Sequence, residues 1–136
     1  MKVLEVGTGS GYQSAILAQL CRRVYTIERY RTLVKSAEQR FTRLRLANIT
    51  TLLGDGNKGW PKQAPFERII VTAAAPRLPR QLIEQLAVGG ILICPVEVSP
   101  GKQEILRITR TQDDFDRESL MPVRFVPLVE GIARGM

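Results

Sequence analysis

Three stretches of this sequence carry residue types and spacings that could bind a polar small molecule. In Glu5-Val-Gly7-Thr8-Gly9-Ser-Gly11, three alternate glycines follow an acidic residue. Glycines there let a backbone turn sharply and approach a ligand closely at the start of a helix. The dinucleotide fingerprint G-x-G-x-x-G does not fit, because Tyr12 stands where its third glycine would be. Glu28 ends an apolar run, where a carboxylate can accept both hydroxyls of a ribose. Asp55 sits in the turn Gly54-Asp55-Gly56 after a third apolar run. The chain contains no histidine, which removes imidazole bases, His-based triads and imidazole metal ligands together. Whatever attacks here needs no imidazole.

Alternating periodicities supply the elements that would position these residues. Lys2–Val6 reads as a buried strand, and Tyr12–Leu20 as a helix with Ile16, Leu17 and Leu20 on its inner side. Val24–Glu28 is a second strand. In Tyr30–Leu46 the residues Leu33, Val34, Ala37, Phe41 and Leu44 recur at helical spacing. Strands follow at Ile49–Leu53 and Phe66–Thr72, with a Pro- and Gly-bearing loop through Trp60 and Pro61 between them. A helix from Pro79 to Leu86 is stopped by Gly89-Gly90, and Ile91–Val96 is a fifth strand. Strands and helices alternating at this spacing demand right-handed crossovers and a parallel sheet. Lys102–Arg110 and Met121–Leu128 then add two antiparallel strands around the acidic turn Asp113-Asp114. The expected fold is therefore α/β: a doubly wound, Rossmann-like sheet, mostly parallel with an antiparallel C-terminal edge, in a single domain over residues 1–136. In such sheets ligands sit at the carboxyl ends of the strands, where the three polar stretches fall. The first strand, central in this topology, begins at residue 2. Either its face is partly bare, or a partner such as a second copy in a homodimer covers it, or the chain is a fragment.

The pattern G-x-G-x-G behind Glu5 resembles motif I of the S-adenosyl-L-methionine-dependent class I methyltransferases. That cofactor carries an ammonium, a carboxylate and a sulfonium but no pyrophosphate, so an acidic residue beside the loop is useful. The end of the fourth strand reads Val71-Thr-Ala-Ala-Ala-Pro76, not the Asn/Asp-Pro-Pro-aromatic motif of enzymes that methylate base amino groups. Cys21 and Cys94 lie in a helix end and a strand, unsuited to covalent cytosine methylation.

More of the chain is similar to one family, the protein-L-isoaspartate O-methyltransferases. The resemblance runs through Val3-Leu-Glu-Val-Gly-Thr-Gly-Ser-Gly-Tyr-Gln13, Gly54-Asp-Gly56 with Gly59-Trp60, and Ala64-Pro-Phe66. It continues through Ile69-Ile-Val-Thr-Ala-Ala-Ala-Pro76, Leu86-x-x-Gly-Gly-Ile-Leu92 and Arg124-Phe-Val-Pro-Leu128. It implies methyl transfer from S-adenosyl-L-methionine to the α-carboxylate of L-isoaspartyl residues in damaged proteins, a repair reaction. It also implies a cofactor site of Glu5, Gly7, Thr8, Gly9, Gly11, Glu28, Arg29, Asp55, Gly56 and Thr72, with Arg29 stacking over the adenine. An acceptor cradle would comprise Ala73, Ala74, Val123, Arg124, Phe125 and Val126. No catalytic acid, base or nucleophile is nominated, and no metal. Family members begin with helices, and with a serine-bearing segment, ahead of the first strand, which this sequence lacks. The alternatives are a cofactor-binding fragment without catalysis, or another class I methyltransferase acting on a small molecule or RNA.

Composition narrows the partners. Of the 136 residues 44% are hydrophobic and 24% charged, which excludes disorder. No apolar run approaches the roughly 20 residues of a membrane span, and no leader precedes the first strand. Neither cysteine spacing nor number suggests a disulfide framework, so a reducing cytoplasm is the expected location. Twenty Lys and Arg against thirteen Asp and Glu leave a net charge of +7, favouring an anionic partner. A protein carboxylate fits that charge without nucleic acid or membrane.

Overall fold

The computed structural model describes residues 1–133. A seven-stranded sheet in the order β3-β2-β1-β4-β5-β6-β7 organises the chain. Its strands are β1 (Lys2–Val6), β2 (Arg23–Glu28), β3 (Ile49–Leu53), β4 (Phe66–Val71), β5 (Leu86–Ser99), β6 (Lys102–Arg110) and β7 (Phe115–Val123). The first five pair in parallel, and β6 and β7 are antiparallel, as the loss of helical pattern after Pro100 predicts. Helices α1 (Tyr12–Leu20), α2 (Arg31–Arg43) and α3 (Arg80–Ile83) make the crossovers. On one face Leu4, Val6, Ile27, Ile69, Leu92 and Ile108 build the main core. A buried Leu or Ile side chain removes about 2 kcal/mol worth of apolar surface from water.

Helix α2 follows its periodicity, burying Val34, Ala37 and Phe41. Tyr30 is extended and Arg45 has φ of 58°, so the helix is shorter at both ends than its pattern suggests. Helix α1 has the expected bounds but the other face inward. Ser14, Ala15 and Ala18 are buried, whereas Ile16 is 44% and Leu20 76% exposed. Small residues let α1 lie close to the sheet, and Ser14 spends its hydroxyl on Glu5, a polar partner that hydrophobic spacing cannot reveal.

Three further expectations change. The helix after Pro79 is a single turn, and Gly89-Gly90 do not end it. They lie inside β5, where Phe66 opposes Leu86 but Arg68 opposes Ile91, so the glycine pair forms an irregularity within the strand. The last strand ends at Val123, not Leu128. It starts at Phe115 because the polar run Asp116-Arg117-Glu118 pairs with β6 as an exposed edge, where Pro122 is also tolerated. Finally, β1 is not bare: Val3, Leu4, Glu5 and Val6 are buried on both faces. The half-covered surface lies further along the same face as Glu5, where register aligns Ile70, Ile93 and Ile91 on β4 and β5 with Ile105 on β6; all four are only half-buried. Among the described residues no helix is long and apolar enough to cross a membrane.

Candidate functional site

Parallel strands β1, β2 and β4 end side by side, and each hands the chain to a loop at the same edge of the sheet. After β1 the backbone turns back at once: the Gly7 and Thr8 amides both donate to the Ile27 carbonyl, at 2.8 and 3.2 Å. The loop then enters α1. Gly9 adopts a left-handed φ of 54°, and an added Cβ there would meet nothing within 4 Å. Glycine at this position is thus asked for by backbone conformation and by the open space in front of the loop, not by packing.

That space is a cavity of about 430 Å³, a usual size for a small-molecule site. Gly7 and Gly9 form its floor, with Val6, Ile27 and Leu33 behind them. Glu28, Arg29 and Tyr30 line it at the end of β2, Gly56 after β3, and Thr72 and Ala73 after β4. Residues 126–129, past the last strand, make the outer wall. The walls are apolar and the polar groups few, which suits a ligand with a flat, largely apolar base and a polar end.

Glu28 is the carboxylate at this cavity and is mostly buried. Its Oε1 accepts the Gly9 amide at 2.8 Å, and its Oε2 accepts the Arg29 and Tyr30 amides at 2.9 and 3.2 Å. A carboxylate offers about four acceptor sites, so capacity remains at Oε1 for a ligand hydroxyl. The side chain therefore ties the glycine loop to the start of α2 while facing the cavity. The Thr72 hydroxyl donates toward the carbonyls of Val6 and Gly7, at 3.0 and 3.3 Å, closing β4 against the same loop.

The other nominated residues fall into two groups. Glu5 does not reach the cavity. It is fully buried beneath the loop, where Oε1 accepts from the Ser14 hydroxyl and, at 2.7 Å, from Thr26. Thr26 in turn bonds Thr8 at 2.6 Å, so Glu5 and Thr8 brace the loop from behind. Gly11 packs against Phe41 and Ala37. The Asp55 Oδ1 accepts from the backbone and side chain of Asn57, capping the turn Gly56–Lys58, and only Gly56 reaches the cavity. Arg29 lines the cavity, and its guanidinium donates in its own plane to the carbonyls of Gly131 and Glu130, a backbone clasp that does not itself occupy the flat face of the group. Of the expected cradle, Ala73 and Val126 border the cavity. Ala74 is buried, joined to residues 126–128 by two backbone hydrogen bonds. Val123, Arg124 and Phe125 lie outside the cavity's lining.

Pro127 and Leu128, the end of the Arg124-Phe-Val-Pro-Leu128 stretch that carries the resemblance, line the cavity, and so do Tyr30, Leu33 and Val129, which were not expected there. Leu33 belongs to the apolar spacing of α2 and is only half-buried; Tyr30 and Val129 carried no signal.

Burial pushes the Glu5 carboxyl above the ordinary value of 4.5; the Ser14 and Thr26 hydrogen bonds pull it down, and the nearby Glu28 charge pushes it up again. Its Oε2 has no hydrogen-bond partner. A folded-state value above the unfolded one means that this group costs stability as pH rises from the unfolded value through the folded one. Glu5→Gln removes that slope. As pH rises above the ordinary carboxylate value of 4.5, the melting temperature of the variant is expected to gain on that of the unaltered chain until the folded-state carboxyl has ionised. Parallel melting curves would show Glu5 to be an ordinary surface-like carboxylate.

The sequence profile of the family described as Protein-L-isoaspartate(D-aspartate) O-methyltransferase (PCMT) matches residues 1–133. A protein-L-isoaspartate O-methyltransferase of Parvibaculum lavamentivorans is 63% identical over 136 residues, which are 98% of this chain and 61% of that protein. The chain thus spans about three-fifths of the length of the curated relatives it matches. Among solved structures, a protein-L-isoaspartate O-methyltransferase superposes with a TM-score of 0.89 at 26% identity, over 97% of this chain and 43% of the other. A Plasmodium falciparum beta-aspartate methyltransferase (PCMT), in complex with S-adenosyl-L-homocysteine, superposes with a TM-score of 0.80 at 27% identity. That match covers 94% of this chain and 65% of the other.

Proposed function

Because this chain belongs to the protein-L-isoaspartate(D-aspartate) O-methyltransferase family, we propose that it binds S-adenosyl-L-methionine and serves methyl transfer to the α-carboxylate of L-isoaspartyl residues in damaged proteins. The observation that carries the reading is the cavity itself: the glycine loop, Glu28 and Thr72-Ala73 converge on one space at the ends of three adjacent parallel strands. The residues present fit the cofactor. Gly7 and Gly9 offer close backbone approach to its methionine part, and Glu28 has an acceptor site for a ribose hydroxyl. Gly56 with the apolar wall at 126–129 makes a slot for the adenine. Glu5, Thr8, Gly11 and Asp55 act one step back, by holding the loops that carry these contacts.

The cofactor would supply an electrophilic methyl group on sulfur. The chain's task is then to bring an acceptor oxygen into line with it and to exclude water. A carboxylate acceptor, with an ordinary pKa near 4, is already ionised at neutral pH, so a protein without histidine loses nothing by it. Alignment and desolvation are the contributions left to the residues here. Thr72 and Ala73 stand at the cavity edge nearest β4, where the acceptor would enter, with Ala74 and residues 123–126 beside them as its cradle. The net charge of +7 gives a field that draws in an anionic peptide. This acceptor is a protein carboxylate, not a nucleic-acid base or a membrane component. A reducing cytoplasm suits the two free cysteines, of which Cys94 is buried with its thiol pushed up to about 12 by desolvation. The half-buried isoleucines of β4–β6 are the face on which a homodimer would form.

A second reading has an observation of its own. The chain spans 61% of the relative's length, so it could bind cofactor while the rest of the acceptor cradle is elsewhere. Transfer of labelled methyl to an isoaspartyl peptide, with the aspartyl peptide as control, separates the two. Base-labile label on the isoaspartyl peptide alone is the expected result. Cofactor binding by calorimetry without transfer would support the binding-only reading, and no binding would overturn both.

A further inference from the structure

Past β7 the chain runs back over the cavity, and residues 124–133 are held at three places. At the near end the Gln103 carboxamide pairs with the backbone of Phe125 as a neighbouring strand would. The Phe125 amide donates to Gln103 Oε1 at 2.6 Å, and Gln103 Nε2 donates to the Phe125 carbonyl at 3.2 Å. In the middle, the Ala74 amide donates to the Val126 carbonyl at 2.7 Å, and the Leu128 amide to the Ala74 carbonyl at 2.8 Å. At the far end the Arg29 guanidinium donates to the Gly131 and Glu130 carbonyls at 3.2 and 3.4 Å, while the Arg29 carbonyl accepts the Ala133 amide at 2.8 Å. Between the anchors lies the outer wall of the cavity. Val126 is 71% exposed and Val129 48%, and of this wall Leu128 packs against the core. Its place is therefore decided by one inward side chain and by the anchors.

We propose that Gln103 and Arg29 are positioning residues that hold residues 124–133 closed over the cavity, and that the rate at which the bound cofactor leaves is set by how often this wall lifts. The inference rests on the cofactor reading above. The near anchor depends on the Gln103 side chain alone and the far one in part on that of Arg29, both in exposed or half-exposed settings where a hydrogen bond contributes little net stability. Segments held this way open locally at small cost, well below that of global unfolding. Opening matters most for release, because the wall closes on a ligand that has already entered.

The test is the dissociation rate of S-adenosyl-L-homocysteine, followed by stopped-flow displacement on the unaltered chain, Gln103→Ala and Arg29→Lys. Gln103 lies on β6, outside the cavity, so its loss removes no contact to the ligand. Gln103→Ala is expected to speed release about tenfold, the loss of two weak hydrogen bonds. Arg29→Lys keeps a charge that can reach one carbonyl and falls between the two. An unchanged release rate in Gln103→Ala overturns the inference. So does a lowered melting temperature with release unaltered, because Gln103 would then support the fold alone. If the unaltered chain binds no S-adenosyl-L-homocysteine, the cofactor reading falls and takes this one with it; if it binds and Gln103→Ala releases at the same rate, only this one falls.

Discussion

Replacing Glu28 by alanine is expected to weaken binding of S-adenosyl-L-homocysteine by about 2–3 kcal/mol, roughly 30- to 150-fold in Kd. Two losses add. The ligand loses a charged acceptor for its ribose, and the protein loses the carboxylate that gathers the amides of Gly9, Arg29 and Tyr30. The second loss matters because Gly9 is part of the cavity floor; without its tether the loop must be ordered by the ligand itself. Glu28→Gln sharpens the test. Its carbonyl can still accept from Gly9, but its NH₂ then points at the Arg29 and Tyr30 amides, donor against donor. It should bind nearly as weakly as the alanine variant, although the side chains are almost isosteric. Calorimetric titration of both variants reads this directly. An affinity within about threefold of the unaltered chain in Glu28→Ala would remove Glu28 from the cofactor site.

The contrast between Glu28 and Glu5 shows what a sequence can and cannot reveal about such a site. Both are acids next to the ends of strands in the right places, and spacing along the chain treats them alike. Both stand on one face of the sheet, since Glu28 lies two residues beyond Thr26, the register partner of Glu5, and the structure separates them by depth along the strands. Register pairs Glu5 with Thr26, on the side where α1 packs, and so buries it under the loop. Glu28, the last residue of β2, reaches the edge and faces the cavity. The succession of strands, their parallel pairing and the strand ends that carry Gly, Asp and Glu were legible because buried parallel strands are short apolar runs. The inner face of α1 was not, because its contact with the sheet is made by Ser14, Ala15 and Ala18, which have no hydrophobic signature. The same holds for the cavity's outer wall. Its position comes from a carboxamide on β6 and a guanidinium after β2, both far in sequence from residues 124–133. Strand propensity in Arg124-Phe-Val-Pro-Leu128 says only that the segment is extended; the partner it finds is Ala74, through an isolated parallel bridge at Pro127, not an edge of the sheet.

Gly7→Ala is expected to be the most damaging small substitution in the glycine loop. Gly7 has φ of 104°, where an L side chain is strained, and an added Cβ would overlap the Thr72 hydroxyl. The backbone strain costs about 1–2 kcal/mol. Pushing Thr72 off the carbonyls of Val6 and Gly7 costs about 1 kcal/mol more. A total of about 2–3 kcal/mol is a large fraction of what holds a domain of this size together, and would lower its melting temperature by roughly 10 °C. The two causes can be told apart. In Gly7→Ala/Thr72→Ala the hydroxyl that the new methyl strikes is gone, so the overlap vanishes while the strain at φ remains. The double variant should therefore be more stable than the sum of the two single losses, by about 1 kcal/mol, the signature of residues in contact. Strict additivity would mean that the loop had moved to accommodate the methyl, and that Thr72 does not close β4 against it. Cofactor binding offers the complementary reading. Gly7 and Thr72 both border the cavity, so regaining stability in the double variant should not restore affinity, because the alanine at residue 7 still alters the floor on which the ligand rests.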